Sequence, residues 1–287
     1  EIQRQQAVQN TIDAKVKAHQ ALTDSDIEFI CPVAFKEKMT KSEIKKLGLS
    51  KHYSFVPTSR VINDLRTMGW NPVDAVQVKA RKKETNGYQK HMITFENDSY
   101  KTEGTTEYPQ LLLTNSHDGG NAFTLSAGIF RLVCSNGLVI KTEDYGTSRL
   151  VHKGYSFEAI QDLVNDFVAT IDETLTRITA MKEVELTKAQ QMEFAKAAAL
   201  LRFTEKSYNE QNISDVVDLD DLLSVDRKED AGDGLWEVYN RVQESIVQGS
   251  FHYIGGNKKS RKARPIKNFK QSIDVNKKLS ELAFAYV

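Results

Sequence analysis

The densest cluster of side chains that could bind a ligand lies near the end of the sequence. Between residues 258 and 278, nine residues are basic and Asp274 alone is acidic. Tyr253 and Phe269 stand at either edge of these charges. Ammonium and guanidinium groups neutralise phosphates, and aromatic rings provide stacking surfaces for bases. This basic segment therefore predicts nucleic-acid binding. The predicted contacts are Lys258, Lys259, Arg261, Lys262, Arg264 and Lys267.

A second charged cluster has the opposite sign. Residues 215–233, the acidic stretch, contain eight carboxylates against Arg227 and Lys228. The equal totals of 39 basic and 39 acidic residues therefore conceal two opposed patches. Several interpretations stay open. The basic segment could be an ordinary solvated loop, or it could pair with the acidic stretch. The acidic stretch could instead imitate a nucleic-acid backbone toward a basic host protein.

A third group of polar residues lies in the run 115–136, where His117 and Asp118 precede two glycines. Imidazole and carboxylate groups bind metals and carry protons, so a metal-dependent nuclease would need His117, Asp118 and Arg131 to converge. A glycine-rich turn also carries His and Asp at no structural cost. We therefore predict no catalytic residue, no metal ligand and no cofactor. The motif residues left without a role are Asn115, His117, Asp118, Arg131, Cys134 and Asn136.

Composition limits the class of protein. A chain with 40% hydrophobic residues, 27% charged residues and 5 prolines is typical of a folded globular protein. No run approaches the roughly 18 apolar residues of a membrane span, and the polar start lacks a signal-peptide core. Cys31 and Cys134 have neither CxxC nor metal-ligand spacing. We expect a protein of the host cell cytoplasm, without membrane attachment and with buried, reduced thiols.

Hydrophobic periodicity predicts helices on both sides of a central region. Val8, Ile12 and Val16 fall on one face of an N-terminal helix. A second helix is predicted from Ser59, as N-cap, to Gly69, which would take the left-handed C-terminal conformation.

One further helix is predicted in the first half of the chain and several in the second half. Capping boxes at Thr40–Glu43 and Thr187–Gln190 each open a helix. Apolar residues at spacings of three and four predict one long helix over 157–178, and shorter patterns predict helices over 235–246 and 275–282.

The central region alternates like β-strands. The turn Asn86-Gly87 predicts a hairpin between residues 76–80 and 88–95, and further strands are predicted at 110–115 and 122–127. One more hairpin is predicted from 128–133 to 138–141 around Asn136-Gly137.

These segments predict an α+β fold, with an antiparallel β-meander in the middle of the chain packed by long helices. We divide the chain into an N-terminal helical segment, 1–52, an antiparallel sheet core, 53–154, and a helical region, 155–287. The helical region carries the acidic stretch and the basic segment.

Several motifs together resemble a known family. They are NSHDGGNA at 115–122 and GIFRLVCSNGL at 128–138, YSFVPT at 53–58 before GW at 69–70, and RPIK at 264–267 before NKKL at 276–279. From about Tyr53 onward the chain resembles domain-of-unknown-function family 932, a phage- and plasmid-like family. The resemblance implies a mobile genetic element, in which such genes stand beside those for recombination or for evading host defence. The predicted topology is similar, more loosely, to single-strand annealing proteins of phage recombination.

We therefore predict a phage- or plasmid-encoded protein that binds nucleic acid, with single-stranded DNA favoured and annealing during recombination as its role. It would be a homo-oligomer and not an enzyme. The alternative is an anti-defence protein that binds a host protein, and a metal-dependent nuclease is a further alternative.

Overall fold

The structure is a computed structural model that describes residues 2–50, 53–80, 82–101, 107–120, 123–131, 148–149, 155–203, 212–255 and 257–287. Contacts divide the chain into two compact units. Within the described ranges, the first unit holds the residues up to Gly128 together with 148–149 and 155–169. The second unit holds 129–131 and the residues from Thr170 onward.

The first unit combines helices with the central sheet. Its helices are α1 (Ile2–Lys17), α2 (Asp24–Ile30), α3 (Lys41–Lys46), α4 (Thr58–Thr67) and α5 (Phe157–Val168). Its strands are β1 (Asn71–Gln77), β2 (His91–Glu96), β3 (Glu107–Asn115), β5 (Ser148–Arg149) and the part of β4 (Thr124–Arg131) that ends at Gly128. They form one sheet in the order of the chain, β1-β2-β3-β4-β5, with β1–β2, β2–β3 and β4–β5 antiparallel. The predicted α+β fold with a central antiparallel sheet is confirmed.

One face of this sheet forms the core of the first unit. Ile93 on β2 pairs with Leu113 on β3, and both are fully buried. The buried residues of α4 include Val61, Ile62 and Leu65. Because β-strand side chains alternate between faces, His91 and Asn115, which also pair, belong to this same buried face.

The second unit is mainly helical. It contains α6 (Ile171–Lys182), α7 (Lys188–Arg202), α8 (Leu219–Leu222), α9 (Leu235–Gln248) and α10 (Phe269–Phe284), with a hairpin of β6 (His252–Ile254) and β7 (Ser260–Lys262). Phe194, Tyr239, Val242 and Leu279 are among the fully buried residues of its core. Within the described residues, no helix of the chain is both long and apolar enough to cross a membrane.

Two of the predicted helices differ in the structure. The helix predicted over 157–178 is interrupted at Ala169-Thr170 and forms α5 and α6. The two halves pack in different units, because Phe167 of α5 lies 5.9 Å from the Trp70 ring while Ile178 of α6 enters the second core. Ser59 is not an N-cap: α4 begins one residue earlier, after Pro57, and no side chain caps it.

The first hairpin is confirmed as an antiparallel pair, and the predicted turn at Asn86-Gly87 is present, with the Tyr88 amide donating to the Thr85 carbonyl at 3.1 Å and Gly87 at φ +89°. This turn does not join the two strands directly. The ladder ends at Gln77 and His91, and a longer connection with a 3-10 turn at Lys83–Thr85 joins the strands. The first strand lies earlier in the chain than the sequence pattern predicts, because Val73 and Ala75 are the residues that are buried.

The later strands extend beyond their predictions. The predicted strand at 110–115 begins earlier, at Glu107, and the strand predicted at 122–127 runs from Thr124 to Arg131. Gly128 to Arg131 therefore continue β4 instead of opening a new hairpin. The rest of the hairpin predicted at 128–141 lies outside the described residues.

Candidate nucleic-acid interface

The basic segment begins in a hairpin that the second unit holds by buried residues. Gly249, with φ +68°, ends α9 in the left-handed conformation that glycine adopts without strain. Phe251 and Ala263 are buried on either side of the hairpin, and Ala263 donates a hydrogen bond to the carbonyl of Phe251 at 2.9 Å. These contacts fix the base of the hairpin in the core, so its charged end is directed away from the core.

All six predicted contact residues lie on this hairpin or on the segment that follows it. Lys258 and Lys259 are in the turn, where Lys258 adopts a positive φ of 56°. Arg261 and Lys262 are on β7, and Arg264 and Lys267 precede α10. Each of the six is exposed, and among the described residues none of them forms an ion pair. The structure thus brings together the residues that the sequence singled out.

The aromatic residues at the edges are placed differently from each other. Tyr253 lies opposite Arg261 in the β6–β7 ladder, and its ring packs against Phe203 with 5.2 Å between ring centroids. Half-buried in this way, Tyr253 supports the hairpin more than it offers a free stacking surface. The side chain of Phe269 lies outside the described residues.

The acidic stretch lies along the other edge of β6. Val217 forms an antiparallel bridge with Tyr253, the Asp218 amide donates to the His252 carbonyl at 3.0 Å, and the Ile254 amide donates to the Val216 carbonyl at 2.7 Å. The residues before α8 are therefore joined to β6 by an isolated bridge and two flanking hydrogen bonds. This backbone pairing explains why two stretches of opposite charge are neighbours.

One carboxylate of the acidic stretch contacts the hairpin directly. Oδ2 of Asp221 accepts hydrogen bonds from the backbone amide of His252 at 2.8 Å and from its Nδ1 at 2.6 Å. The His252 hydrogen bond is the main cause that lowers the pKa of Asp221, and the nearby Lys262 charge lowers it further. Because His252 lies outside residues 258–278, this contact does not pair the acidic stretch with the basic segment, and that pairing stays a prediction.

Other acids of the stretch hold the second unit together. Asp233 accepts hydrogen bonds from Lys188 at 2.6 Å and from Gln191 at 2.8 Å. Asp230 is buried, and the guanidinium of the buried Arg241 donates to its backbone carbonyl at 3.1 Å. Neither the burial of Asp230 nor the position of Arg241 is signalled by the sequence, because both depend on how α7 and α9 pack.

The His117-Asp118 motif belongs to the first unit and is mostly buried. His117 is 0% exposed, between the Phe55 ring at 4.6 Å and the His91 ring at 5.4 Å. Burial lowers the pKa of His117 to about 3, and repulsion from His91 acts in the same direction. Within the described part of the chain, neither ring nitrogen forms a hydrogen bond of normal geometry. At neutral pH this side chain is an uncharged imidazole in an apolar setting.

Asn115 and His91 form a fully bonded chain beside His117. Nδ2 of Asn115 donates to Oγ1 of Thr58 at 3.1 Å, and this hydroxyl donates to Nε2 of His91 at 2.8 Å. Nδ1 of His91 then donates to the carbonyl of Gln89 at 3.0 Å, which assigns the tautomer. This network ties the start of α4 to two strands, which is a structural role for Asn115.

Asp118 and the other motif residues do not complete a catalytic site in the described structure. Asp118 Oδ1 accepts a hydrogen bond from the Gly120 amide at 2.9 Å, as in an Asx turn. No group of three His, Cys, Asp or Glu residues that could hold a metal occurs among the described residues. Cys134, Asn136 and the side chain of Arg131 lie outside them, so the convergence that a nuclease would need stays a prediction. Cys31 is a buried thiol, as expected, and burial raises its pKa to about 12.

A buried carboxylate on β2 is a further polar centre that the sequence analysis missed. Glu96 accepts hydrogen bonds from His19 at 2.5 Å and from Gln110, and Lys101 lies 3.0 Å from its second oxygen. Burial raises the pKa of Glu96, but these partners outweigh burial and lower it below its ordinary value. The alternation of β2 was a possible signal, because a carboxylate at the end of a buried strand needs partners.

The chain is thus an α+β protein of two units, and its exposed basic hairpin is the candidate surface for binding a polyanion. The model of the family described as "Domain of unknown function (DUF932)" matches residues 48–280, and the chain belongs to this family. The chain is 27% identical over 272 residues to the UPF0380 protein YafZ of Escherichia coli strain K12, covering 94% of this chain and 93% of that protein. It is 28% identical over 234 residues to the UPF0380 protein YfjQ of the same strain, with 82% and 80% covered. No solved structure matches the chain.

Proposed function

We propose that the protein binds nucleic acid, single-stranded DNA in the first place, through the hairpin of the second unit. The observation that carries this proposal is the exposure of six basic residues without ion-pair partners, among the described residues, on a hairpin anchored by Phe251 and Ala263. Unpaired cations at a fixed spacing gain free energy from a polyanion, because each phosphate contact releases counterions.

A single strand suits this surface better than a duplex. The basic residues lie on a tight turn, on a short strand and on an irregular segment, so they do not follow one straight line. Duplex DNA is stiff, with a persistence length of about 50 nm, whereas a single strand bends easily around a short hairpin. The resemblance to phage- and plasmid-borne proteins supports a role in strand annealing during recombination, carried out by a homo-oligomer.

Charge reversal on the hairpin tests the proposal. We expect Arg261→Glu with Arg264→Glu to weaken binding of a labelled oligothymidylate about tenfold or more at low salt. Phosphate contacts carry no base information, so the same loss is expected for every sequence. Fluorescence anisotropy of the full chain with single- and double-stranded DNA measures both effects.

The matched control is Lys38→Glu with Lys45→Glu, which changes the net charge equally at exposed positions of the first unit. This control should bind nearly as tightly as the wild type. Equal affinity of the hairpin variant and the wild type would contradict the proposal, as would the absence of any binding at low salt.

A host-protein partner has weaker support. Asp215, Asp220, Asp226 and Glu229 are exposed and could face a basic protein, but Asp221, Asp230 and Asp233 of the same stretch serve contacts within the second unit. If the folded protein fails to bind DNA, a pull-down in which the four exposed acids are replaced by Asn or Gln becomes the deciding experiment. Loss of a captured partner would then support the anti-defence alternative.

A further inference from the structure

The first unit has a pocket of 470 Å³ at the connection between β1 and β2. Its walls come from the end of α2 and from the chain between the two strands, and its lining includes both apolar and basic residues. The lining residues used below are Ile30, Val78, Lys79, Lys82, Lys83 and Gln89. All of them belong to the first unit, whereas the basic hairpin belongs to the second unit.

The charge of the pocket has one sign. Lys79, Lys82 and Lys83 are exposed lining residues, and none of the described residues that line the pocket is acidic. Among the described residues, none of the three lysines forms an ion pair. Three ammonium groups around one cavity repel one another, and a bound anion relieves this repulsion.

The lining also includes the side-chain amides of Gln77, Asn86 and Gln89. Oε1 of Gln77 accepts a hydrogen bond from the Val33 amide at 3.2 Å, which holds this side chain in place. Gln89 bridges the loop, because its Oε1 accepts from the Gly87 amide at 2.6 Å and its Nε2 donates to Asn86 at 3.0 Å. The carbonyl of Gln89 holds the buried His91, so this side of the pocket is tied to the core.

We propose that this pocket binds the phosphate of a phosphorylated ligand, with Lys79, Lys82 and Lys83 as the contacts. Ammonium groups and amide donors complement the several oxygens of a phosphate, and the apolar Ile30 and Val78 can contact a sugar or a base. The phosphate belongs either to a phosphodiester of a nucleic-acid strand or to a small phosphorylated molecule. Only the first of these two sources rests on the function proposed above.

The test compares four forms of the full chain: the wild type, Lys79→Gln with Lys82→Gln and Lys83→Gln, the hairpin variant Arg261→Glu with Arg264→Glu, and a control. The control, Lys38→Gln with Lys45→Gln and Lys46→Gln, removes the same charge from exposed sites of the same unit. Each form is titrated calorimetrically with inorganic pyrophosphate, with thymidine monophosphate and with a 20-nucleotide oligothymidylate. Circular dichroism verifies folding, which these exposed substitutions should preserve.

We expect the pocket variant to lose about fivefold or more in affinity for at least one of these probes, while the control keeps it. Loss for pyrophosphate or the mononucleotide identifies a small phosphorylated ligand, and loss for the oligonucleotide alone identifies a strand. A triple replacement of the pocket lysines by Arg, which keeps the charge, should restore most of the binding.

Equal affinities of the pocket variant and the control for all three probes would overturn the proposal. If the hairpin variant loses the oligonucleotide while the pocket variant keeps its affinity for all three probes, the pocket proposal fails and the proposed function stands. If the pocket variant alone loses a probe, the pocket is supported and the hairpin fails.

Discussion

At the residue scale, the buried imidazoles of His117 and His91 differ in their hydrogen bonding. His91 has a partner for each ring nitrogen, Thr58 and the carbonyl of Gln89. His117 is equally buried but makes no such hydrogen bond in the described part of the chain. A buried polar group without a partner costs free energy, so His117 weakens the first unit where His91 stabilises it.

The low pKa of His117 makes the stability of the first unit sensitive to acid. Its folded pKa of about 3 lies below the ordinary value of 6.5, so the unfolded chain binds a proton that the folded chain excludes. The free energy of unfolding is therefore unaffected by protonation of His117 above about pH 6.5. It decreases as the pH falls toward 3, by at most about 1.4 kcal/mol per pH unit. The pKa of His91 is also lowered by burial, and its effect has the same sign.

We expect His117→Leu to make the free energy of unfolding less dependent on pH between 7 and 5. At pH 7 this variant should be as stable as the wild type to within about 1 kcal/mol, because among the described residues neither ring nitrogen of His117 has a hydrogen bond of normal geometry to lose. Urea unfolding at both pH values, followed by the fluorescence of Trp70 in a Trp236→Phe background, reports on the first unit.

The control is His91→Leu, which removes the partner of the Thr58 O–H donor and of the Gln89 carbonyl and should cost about 2 kcal/mol or more at pH 7. If His117→Leu lowered the stability at pH 7 more than His91→Leu does, the assignment of His117 as the less strongly hydrogen-bonded imidazole would be wrong.

At the element scale, the position of the basic hairpin depends on how α9 ends. A Cβ atom on Gly249 would lie 2.6 Å from the carbonyl carbon of Arg264 and 2.7 Å from its oxygen. The backbone of the basic segment thus passes directly over the glycine, and this close approach orients the hairpin. No side chain larger than hydrogen fits there without moving the backbone.

We expect Gly249→Ala to destabilise the second unit by about 2–4 kcal/mol, because strain at a positive φ adds to the steric overlap. The control is Gly48→Ala, where φ is +67° but no atom lies within 4 Å of the new Cβ. That change should cost only about 1 kcal/mol. Thermal unfolding measures the destabilisation caused by each substitution. Equal destabilisation by the two would mean that the backbone near Arg264 shifts easily to make room for the new Cβ atom.

At the scale of the whole molecule, the equal numbers of acidic and basic residues leave no long-range attraction for DNA. Any nucleic-acid binding must then come from local patches, and the salt dependence of binding counts their phosphate contacts. The neighbouring acidic stretch reduces the field on one edge of the hairpin, where Asp221 lies close to Lys262.

If all six basic residues of the hairpin contact phosphates, the logarithm of the binding constant should fall with the logarithm of salt concentration with a slope of about −4 for single strands. Anisotropy titrations at several salt concentrations give this slope. The variant Arg261→Glu with Arg264→Glu should reduce its magnitude by one unit or more, and a slope near zero for the wild type would exclude phosphate contacts.

The sequence by itself determined the features that depend on neighbouring residues. The capping boxes of Thr40 and Thr187 are present as predicted, and Gly69 takes the left-handed conformation with φ +83°. The periodicity of the apolar residues likewise identified the sheet and the main helices. These features follow from hydrogen bonds and dihedral angles within a few residues, so a single chain contains the information for them.

Only the tertiary structure decided the features that depend on distant residues. The apolar pattern from Phe157 to Ile178 is continuous, yet the helix is interrupted where one half joins the first unit and the other half joins the second. The burial of His117 and the pairing of the acidic stretch with β6 also have no local signal. Burial and strand pairing join residues far apart in the chain, so their outcome depends on packing that no local pattern specifies.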